Sequence, residues 1–276
     1  MTSDIDPDAN LDQIAAAAAS ARAGGAAMLF LPEMAILLDR DRDRSAAHIK
    51  AEAASFWPAQ LAAIAAAEGL WLHAGSAPFA STDGSGTDGH RRANRSLVFT
   101  PDGAIAARYD KVHMFDVDLP TGEKWRESAA YDGGDQLAVV DTPLGKLGLS
   151  ICFDLRFPEF YAALVAQGAE AIAVPAAFTV PTGAAHWHVL LRARAIETGC
   201  HVIAAAQTGT HADGRTTFGH SMVIDPWGTI LAEAPGGTAA GASPTLLFAK
   251  IDRSAAAQAR AAIPLTPSRT LRNIRL

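Results

Sequence analysis

The chain has 276 residues, of which 49% are hydrophobic and 19% are charged, and its formal net charge is −6. This length supports one large domain or two small ones, and the apolar fraction excludes an intrinsically disordered chain. The acidic balance argues against a nucleic-acid-binding surface, which needs a basic patch. Two cysteines are too few for a disulfide framework, so we expect a reducing compartment.

Targeting signals are not evident in the sequence. The N-terminal residues are acidic and lack the basic start and the apolar core of a signal peptide. The apolar stretches are shorter than the roughly 18–20 residues that a membrane-spanning helix needs. We therefore expect a cytoplasmic protein that has no membrane partner.

Helical and strand patterns alternate along the chain without a linker that would mark a domain boundary. Asp6-Pro7 offers an N-cap and a first-turn proline for a first helix, and Gly24-Gly25 ends it. Further helices are predicted over 45–68, from Pro158 onward and over 186–199. Strands are predicted at 27–31, 70–75, 96–100, 105–109, 137–141, 146–152, 171–175, 201–206, 221–224 and 229–232. The alternation predicts a single layered α/β domain over residues 1–276.

The polar, glycine-rich stretch 81–94 is predicted to be a surface loop. Within it, the stretch 84–89 matches the dinucleotide-binding pattern G-x-G-x-x-G. A polar segment follows this stretch where the motif requires a helix, so a surface loop is the better interpretation.

Cys152 ends an apolar run and precedes a turn that leads to the helix starting at Pro158. A thiol in this place faces free backbone N–H groups and the positive end of a helix dipole. Both features lower the pKa of a thiol and can hold an oxyanion, so Cys152 is a candidate nucleophile. Taken alone, the pattern more often marks a buried core cysteine. Cys200, between a helix and a strand, is predicted to be buried and inert.

Two charged residues have similar places at the ends of predicted strands. Glu33 follows an apolar strand and Pro32, and Lys111 follows the strand predicted at 105–109. Because α/β sheets gather catalytic groups at strand ends, a base, a cation and a thiol are expected to meet there. Each residue alone is more often a helix cap or a surface residue, so only the joint arrangement is informative.

The order Glu33, Lys111, Cys152 resembles the Glu–Lys–Cys signature of the nitrilase superfamily of carbon–nitrogen hydrolases. The matching blocks lie at 31–33, 109–113 and 152–159. A second family carboxylate maps to Glu127. The resemblance implies a four-layer αββα sandwich that forms a homodimer and acts on a small-molecule amide and water, without a cofactor or a metal.

The resemblance also implies a mechanism. Glu33 takes the proton of Cys152, and the thiolate attacks an amide carbonyl to give a thioester that water then hydrolyses. Lys111 and the backbone N–H of Phe153 stabilise the oxyanion, and Glu127 orients Lys111 and the water.

The resemblance extends to one branch of the superfamily. Blocks at 113–118, 177–188, 192–197, 204–211 and 219–223 are similar to the Nit branch. Within these blocks, the sequences at 178–183 and 205–210 are similar to the corresponding sequences of deaminated glutathione amidases. This implies cleavage of the side-chain amide of a small carboxylate-bearing compound to an acid and ammonia. The alternative is an ω-amidase that acts on α-keto acid amides such as α-ketoglutaramate.

Four residues are candidates for binding the substrate. Arg156 has a guanidinium group that matches a carboxylate, although a structural salt bridge at a helix start explains it equally well. The resemblance adds Thr179, His186 and Trp187.

Three other interpretations stay open. A Cys–His hydrolase of the papain type would leave Glu33 and Lys111 unexplained. A metal enzyme is a weak interpretation, because histidines two residues apart on a helix point to different faces. A catalytically silent scaffold protein belongs to a different class and would not need Glu33, Lys111 and Cys152. The histidines considered for the first two are His113, His186, His188, His211 and His220.

The N-terminus departs from the family pattern. Family members begin with a core strand, and Met1 stands where the turn after that strand would lie. We therefore expect the first core strand to be missing at the N-terminus.

Overall fold

The computed structural model describes residues 1–81, 91–120, 122–237 and 244–264. None of the helices in these ranges is both long and apolar enough to cross a membrane. The α-helices are α1 (Pro7–Ala23), α2 (Arg42–Ala46), α3 (Trp57–Glu68), α4 (Pro158–Ala166), α5 (Val180–Thr198) and α6 (Ser254–Ala262). Short 3-10 helices lie at Glu52–Ala54, Glu127–Ala129 and Cys152–Arg156.

The strands are mostly short, and they form two large sheets and two small hairpins. In chain order they are β1 (Met28–Phe30), β2 (Trp71–His73), β3 (Ala77–Ala80), β4 (Arg92–Phe99), β5 (Ile105–Asp110), β6 (Asp116–Asp118), β7 (Lys124–Arg126), β8 (Tyr131–Asp132), β9 (Val139–Thr142), β10 (Gly145–Leu149), β11 (Ala171–Ala173), β12 (His201–Ala204), β13 (Thr208–Thr210), β14 (Thr216–Phe218), β15 (Met222–Ile224) and β16 (Ile230–Glu233).

The first large sheet has the order β1-β2-β4-β3, and β5 and β8 also pair with β4. In it, β1 and β2 run parallel, and β4 runs antiparallel to β2 and β5. The second sheet has the order β16-β15-β12-β11-β10-β9, and its central strands β10, β11 and β12 run parallel.

The two large sheets pack face to face, and helices cover both outer surfaces. Successive residues of a strand point to opposite faces of a sheet. In β1, Leu29 is therefore buried in one cluster with Trp57 of α3, while Met28 packs against the core of the second sheet. Leu164 of α4 and Leu191 of α5 are buried in that second core. These layers confirm the predicted αββα sandwich.

The sheets bring three strand ends to one place. β5 runs in the same direction as β1, because β1 is parallel to β2 and both β2 and β5 are antiparallel to β4. Glu33 follows the end of β1, and Lys111 directly follows β5. Cys152 follows β10 of the facing sheet. The sandwich thus places the three sequence-predicted groups at one edge of its interior.

The prediction of one helix over 45–68 is wrong. α2 ends at Ala46, and α3 begins at Trp57 with Pro58 in its first turn. Proline lacks an N–H group and its ring clashes with the preceding turn, so it begins a helix here and does not continue one. The helix predicted at 186–199 begins earlier, at Val180, for a similar reason, since Pro181 lies in its first turn.

The predicted loop over 81–94 is wrong at its end, because β4 begins at Arg92. The side chain of Arg92 donates to Ser45 Oγ at 3.1 Å and to the Arg42 carbonyl at 2.9 Å. These bonds allow a polar residue to lie in a buried strand. The stretch 84–89, interpreted as a surface loop, lies outside the described residues. The hairpins β6–β7 and β13–β14 were not predicted, since their strands have few apolar residues.

A cavity of about 570 Å³ extends along β1. It is lined by parts of α1 and by residues at 24–32, 203–206, 221–223 and 244–251. In the part of the chain that the structure describes, β1 pairs with β2 alone. The cavity therefore follows the second edge of β1, where another strand could pair. The expected absence of a first core strand stays a prediction.

The backbone of Gly75 packs closely against the backbone of Pro32, in the turn just before Glu33. Its φ is +64°, and a Cβ there would lie 1.8 Å from the carbonyl oxygen of Pro32. We expect Gly75→Ala to lower the free energy of unfolding by about 2–5 kcal/mol, from left-handed backbone strain plus overpacking. Urea unfolding measures this loss.

Gly69→Ala is the matched control for this prediction. Gly69 has a φ of +59°, but a Cβ there meets nothing within 4 Å. It should cost only the backbone strain of about 1–2 kcal/mol. Equal losses for the two variants would show that the contact with Pro32 does not matter.

Candidate active site

One cavity of about 260 Å³ contains Glu33, Lys111, Glu127 and Cys152. These are the four residues that the sequence predicted to act together. Phe153 and two of the candidate substrate-binding residues, Arg156 and Thr179, also line it.

The Glu33 carboxylate accepts hydrogen bonds at both oxygens. Oε1 accepts from Asn94 Nδ2 at 2.9 Å and from Lys111 Nζ at 3.2 Å, and Oε2 accepts from the Ala177 N–H at 2.9 Å. The side chain of Gln207 also donates to the Glu33 carbonyl at 2.9 Å. With 5% of its surface exposed, Glu33 is held in one orientation by donors from several elements.

Lys111 lies between two carboxylates. Its Nζ is 3.2 Å from Glu33 Oε1 and 2.8 Å from Glu127 Oε2, and only 2% of its surface is exposed. Burial alone would lower the pKa of Lys111, but the charges of Glu127 and Glu33 outweigh it and hold the pKa well above its ordinary value. Lys111 is therefore a fixed cation. Glu127 is itself held by the Phe115 N–H, which donates to Oε2 at 2.6 Å.

Cys152 has a strained backbone and is the first residue of the short 3-10 helix that follows β10. Its φ is +48°, which is uncommon for a residue other than glycine, and its N–H donates to the Pro175 carbonyl at 2.9 Å. Such strain is frequent at active sites, where it aims a side chain. The turn directs the thiol into the cavity with 8% of the residue exposed.

The expected lowering of the thiol pKa is wrong for the free protein. Burial raises the pKa of Cys152 well above its ordinary value, and the negative charge of Glu33 raises it further. Lys111 acts in the opposite direction but does not compensate. Burial, which removes water from the thiol, is the largest of these effects, and the 3-10 helix that begins at Cys152 has only five residues. Cys152 is a neutral thiol beside a carboxylate, which is the arrangement that general-base activation requires.

Asp154 holds the Lys111 strand end against the Cys152 turn. Its buried carboxylate accepts from the Ile151 N–H at 2.8 Å and from the Tyr109 hydroxyl at 2.6 Å. It also accepts from the His113 N–H at 3.0 Å. Because these donors come from both segments, one carboxylate fixes their relative position.

Sequence reasoning missed Asp154 and Asn94. An aspartate two residues after the candidate nucleophile, in a predicted turn, is the type of residue that accepts backbone N–H bonds, and this signal was available. Asn94 fell within the predicted loop, so nothing in the sequence connected it with Glu33.

Arg156 has no carboxylate within ion-pair distance among the described residues. Its Nη1 lies 3.2 Å from His186 Nδ1, and its guanidinium lies over the rings of Phe153 and Phe178 at 5.7 and 5.5 Å. The alternative of a structural salt bridge is thus not found in the described part of the chain. A cavity-lining guanidinium without a counter-ion is suited to bind an anion.

The structure places the other three substrate-binding candidates differently. Thr179 lines the cavity, and its Oγ1 lies 2.8 Å from Thr182 Oγ1. His186 contacts Arg156 but does not line the cavity. Trp187 is fully buried, and its Nε1 donates to the His220 carbonyl at 2.8 Å. Trp187 is not brought to the cavity, because this bond directs it into the core.

The papain-type alternative finds little support in this geometry. His113 Nδ1 lies 2.7 Å from Asp154 Oδ1, and its ring stacks on Phe157 at 3.6 Å. The charges that act most strongly on the Cys152 thiol are those of Glu33 and Lys111.

Comparison with known proteins identifies the family. A model of the carbon-nitrogen hydrolase family matches residues 1–261. The chain belongs to this family. A deaminated glutathione amidase of Yersinia enterocolitica is 50% identical to it over 168 residues, which are 60% of this chain and 57% of that protein. The match with this relative therefore spans less than two thirds of its length.

Solved structures of other proteins have the same fold. The Caenorhabditis elegans NitFhit protein superposes with a TM-score of 0.86 and 35% identity, over 100% of this chain and 64% of that chain. A mutant amidase of Nesterenkonia sp. AN1 superposes with a TM-score of 0.75 and 28% identity, over 96% and 95% of the two chains. In that amidase, acrylamide has added to the active-site cysteine. These matches confirm the superfamily that the sequence motifs predicted.

The pH dependence of thiol alkylation tests the electrostatics of this site. In a Cys200→Ala background, the rate of Cys152 modification by iodoacetamide should rise with a midpoint above the ordinary thiol pKa of 9.0. Glu33→Gln should lower the midpoint, because it removes a negative charge that opposes the thiolate. Lys111→Met should raise it, because it removes a cation that favours the thiolate.

Mass spectrometry of the modified peptide gives the rate at each pH. This account would be contradicted if the alkylation rate of Cys152 had its pH midpoint at or below the ordinary thiol pKa. It would also be contradicted if the Glu33→Gln variant had the same midpoint as the protein that keeps Glu33.

Proposed function

We propose that this protein is an amidohydrolase that cleaves a small carboxylate-bearing amide through a thioester on Cys152. The observation that carries the proposal is the contact of Lys111 Nζ with Glu33 at 3.2 Å and with Glu127 at 2.8 Å, in the cavity that holds the thiol. A base, a fixed cation and a nucleophile in one cavity are the parts that acyl transfer requires.

In the first half of the reaction, Glu33 accepts the thiol proton and the Cys152 sulfur bonds to the amide carbonyl carbon. The carbonyl oxygen becomes an oxyanion, which Lys111 and the Phe153 N–H stabilise. Phe153 is the second residue of a 3-10 helix, where the N–H has no acceptor within the helix. The C–N bond then breaks, and the nitrogen leaves with the proton from Glu33.

In the second half, water attacks the thioester and Glu33 accepts a proton from it. The C–S bond breaks, the acid leaves, and the thiol is restored with that proton. Glu127 supports both halves, because it holds the Lys111 ammonium at 3.0 and 2.8 Å with its two oxygens.

The charges around the cavity favour an anionic substrate. Its lining includes the basic residues Arg40, Arg42, Arg92, Lys124, Arg126, Arg156 and Arg215. Arg156 is proposed to bind a substrate carboxylate. Deaminated glutathione, the substrate in the name of the Yersinia relative, carries carboxylates on both sides of its scissile amide. The alternative substrate, α-ketoglutaramate, is shorter and also anionic.

The two substrates differ in their nitrogen product. The scissile amide of deaminated glutathione joins a keto acid to cysteinylglycine, so its leaving group is an amine. α-Ketoglutaramate is a primary amide and releases ammonia. The sequence-based expectation of ammonia release thus applies only to the second substrate, and the keto acid is the product to measure for both.

Cys152→Ala should lower kcat for keto acid release by at least about 10⁴-fold, because no other group can form the thioester. Cys200→Ala is the matched control, since Cys200 is fully buried and its Sγ donates to the Ala169 carbonyl at 3.3 Å. It should keep most of the activity. Both variants are assayed in parallel on deaminated glutathione and on α-ketoglutaramate.

A higher kcat/KM for deaminated glutathione supports the proposed substrate, and the reverse order supports the ω-amidase alternative. Near-normal turnover by Cys152→Ala would remove the nucleophile assignment. No turnover of either substrate, without an acyl-enzyme in the mass spectrum, would favour the catalytically silent scaffold.

We also propose that the protein forms a homodimer through the outer surface of α5 and that it acts in the cytoplasm, where its thiol stays reduced. Val189 and Ile196, two helical turns apart on α5, are 68% and 48% exposed, and the nearby Trp227 is 61% exposed. A Cβ at Gly228 would touch Ile196 at 2.7 Å, so the Trp227 turn lies against this helix face. An exposed apolar surface of this kind is typical of a contact between subunits.

Light scattering after size exclusion should give twice the chain mass of 28.8 kDa. Val189→Glu should shift the protein to the monomer, because it buries an unpaired charge in the contact. Phe56→Glu is the control, since Phe56 is also an exposed apolar residue, at 46%, but lies beside α3. A monomer in the unsubstituted protein, or dissociation of both variants, would contradict the proposed surface.

A further inference from the structure

Outside the catalytic cavity, three potential metal ligands converge on the surface of the second sheet. They are His188 of α5, His220 of the loop before β15, and Glu233 of β16. One ligand atom from each lies within 4.8 Å of the others. His188 Nε2 and His220 Nδ1 lie 2.8 and 2.7 Å from the same atom, Glu233 Oε1.

The ring of His220 is held in place by its surroundings. Its φ of +57° is uncommon for a residue other than glycine, and its carbonyl accepts from Trp187 Nε1 at 2.8 Å. Phe218 stacks on the ring at 4.4 Å, and a Cβ at Gly236 would lie 2.6 Å from it. A strained residue that its neighbours hold in one orientation is often part of a functional site.

We propose that His188 Nε2, His220 Nδ1 and the Glu233 carboxylate bind a divalent transition-metal ion, with Zn²⁺ as the best chemical match. Two imidazoles and one carboxylate form a known zinc ligand set, which leaves a fourth tetrahedral position for water. The three side chains are 36%, 29% and 31% exposed, so an ion and its water can enter from solvent.

Binding exchanges hydrogen bonds for coordinate bonds. In the free protein, both ring nitrogens approach Glu233 Oε1 as hydrogen-bond donors. When the ion binds, each nitrogen donates a lone pair to it and its proton moves to the other ring nitrogen or to solvent. No electron transfer is involved, and the ion is the one added component.

The ion would join α5 to the hairpin formed by β15 and β16. These two parts of the chain are distant in sequence and meet only in the folded protein, so a shared ion stabilises the folded state over the unfolded chain. The effect that we propose is therefore on stability, and it does not depend on the amidase reaction.

The test is a Zn²⁺ titration of the untagged full chain carrying Cys152→Ala, which removes the catalytic thiol as a competing ligand. Calorimetry should give one ion per chain, and Tm should rise with Zn²⁺. Co²⁺ should give the visible absorption bands of a tetrahedral site. Long-range ¹H–¹⁵N spectra should show the His188 and His220 ring nitrogens shifting together.

Ligand variants assign the site. His188→Gln, His220→Asn and Glu233→Gln should each weaken Zn²⁺ binding by more than about 100-fold. Loss of a residue that only hydrogen-bonds to a metal ligand has a smaller effect, of about 10- to 100-fold. Asparagine tolerates the left-handed backbone at position 220, so this change removes the imidazole with little strain. His48→Gln is the control, because His48 is a partly exposed histidine in another region.

The proposal is overturned if the Cys152→Ala protein binds no stoichiometric Zn²⁺, or if the His48→Gln control loses binding to the same extent as the ligand variants. It is also overturned if the ring nitrogens of His188 and His220 do not shift in the protein that keeps all three ligands. This last measurement needs no ligand variant, so a variant that fails to fold does not decide the result.

Discussion

The candidate active-site cavity is organised around the buried Lys111 ammonium, which lies between Glu33 and Glu127. A lone ammonium with 2% exposure would lose most of its hydration, and so would the Glu33 carboxylate, which is 5% exposed. Together, the contacts of 3.2 and 2.8 Å compensate for that loss, and removal of Lys111 would leave both carboxylates without their cation. Within this cluster, the negative charge of Glu33 raises the pKa of Cys152 more than the positive charge of Lys111 lowers it.

The fold forms this site by bringing together the ends of strands that belong to two different sheets. Glu33 and Lys111 follow strands of one sheet, and Cys152 follows a strand of the other. Their relative position depends on buried polar bonds between the segments, above all those of Asp154 and of Gln207. Apolar packing of the sheets sets the approximate distance between the strand ends, and these directional bonds then fix orientation.

The sequence predicted the layered fold and the four charged or nucleophilic residues of the cavity, because strand ends and family motifs are local signals. It did not predict Asn94 or Asp154, since their roles depend on partners that are distant in sequence. It predicted a lowered pKa for Cys152, because it took account of the helix end and not of burial or of the Glu33 charge. Trp187 was expected at the substrate, but the bond to His220 places it in the core.

The charge distribution of the cavity connects substrate binding with activation of the thiol. Basic residues are frequent in the lining of the cavity, and the carboxylate of Glu33, which acts on Cys152, belongs to the same lining. A neutral thiol is a poor target for solvent oxidants and electrophiles, since the thiolate is the reactive form. In the proposed reaction, an amide carbonyl beside Lys111 stabilises the charge that forms when the sulfur attacks, so proton transfer to Glu33 becomes favourable only when a substrate is bound. Low reactivity of the thiol in the free protein thus follows from its burial and from the Glu33 charge, and the proposed attack in the complex depends on Lys111 and Glu33.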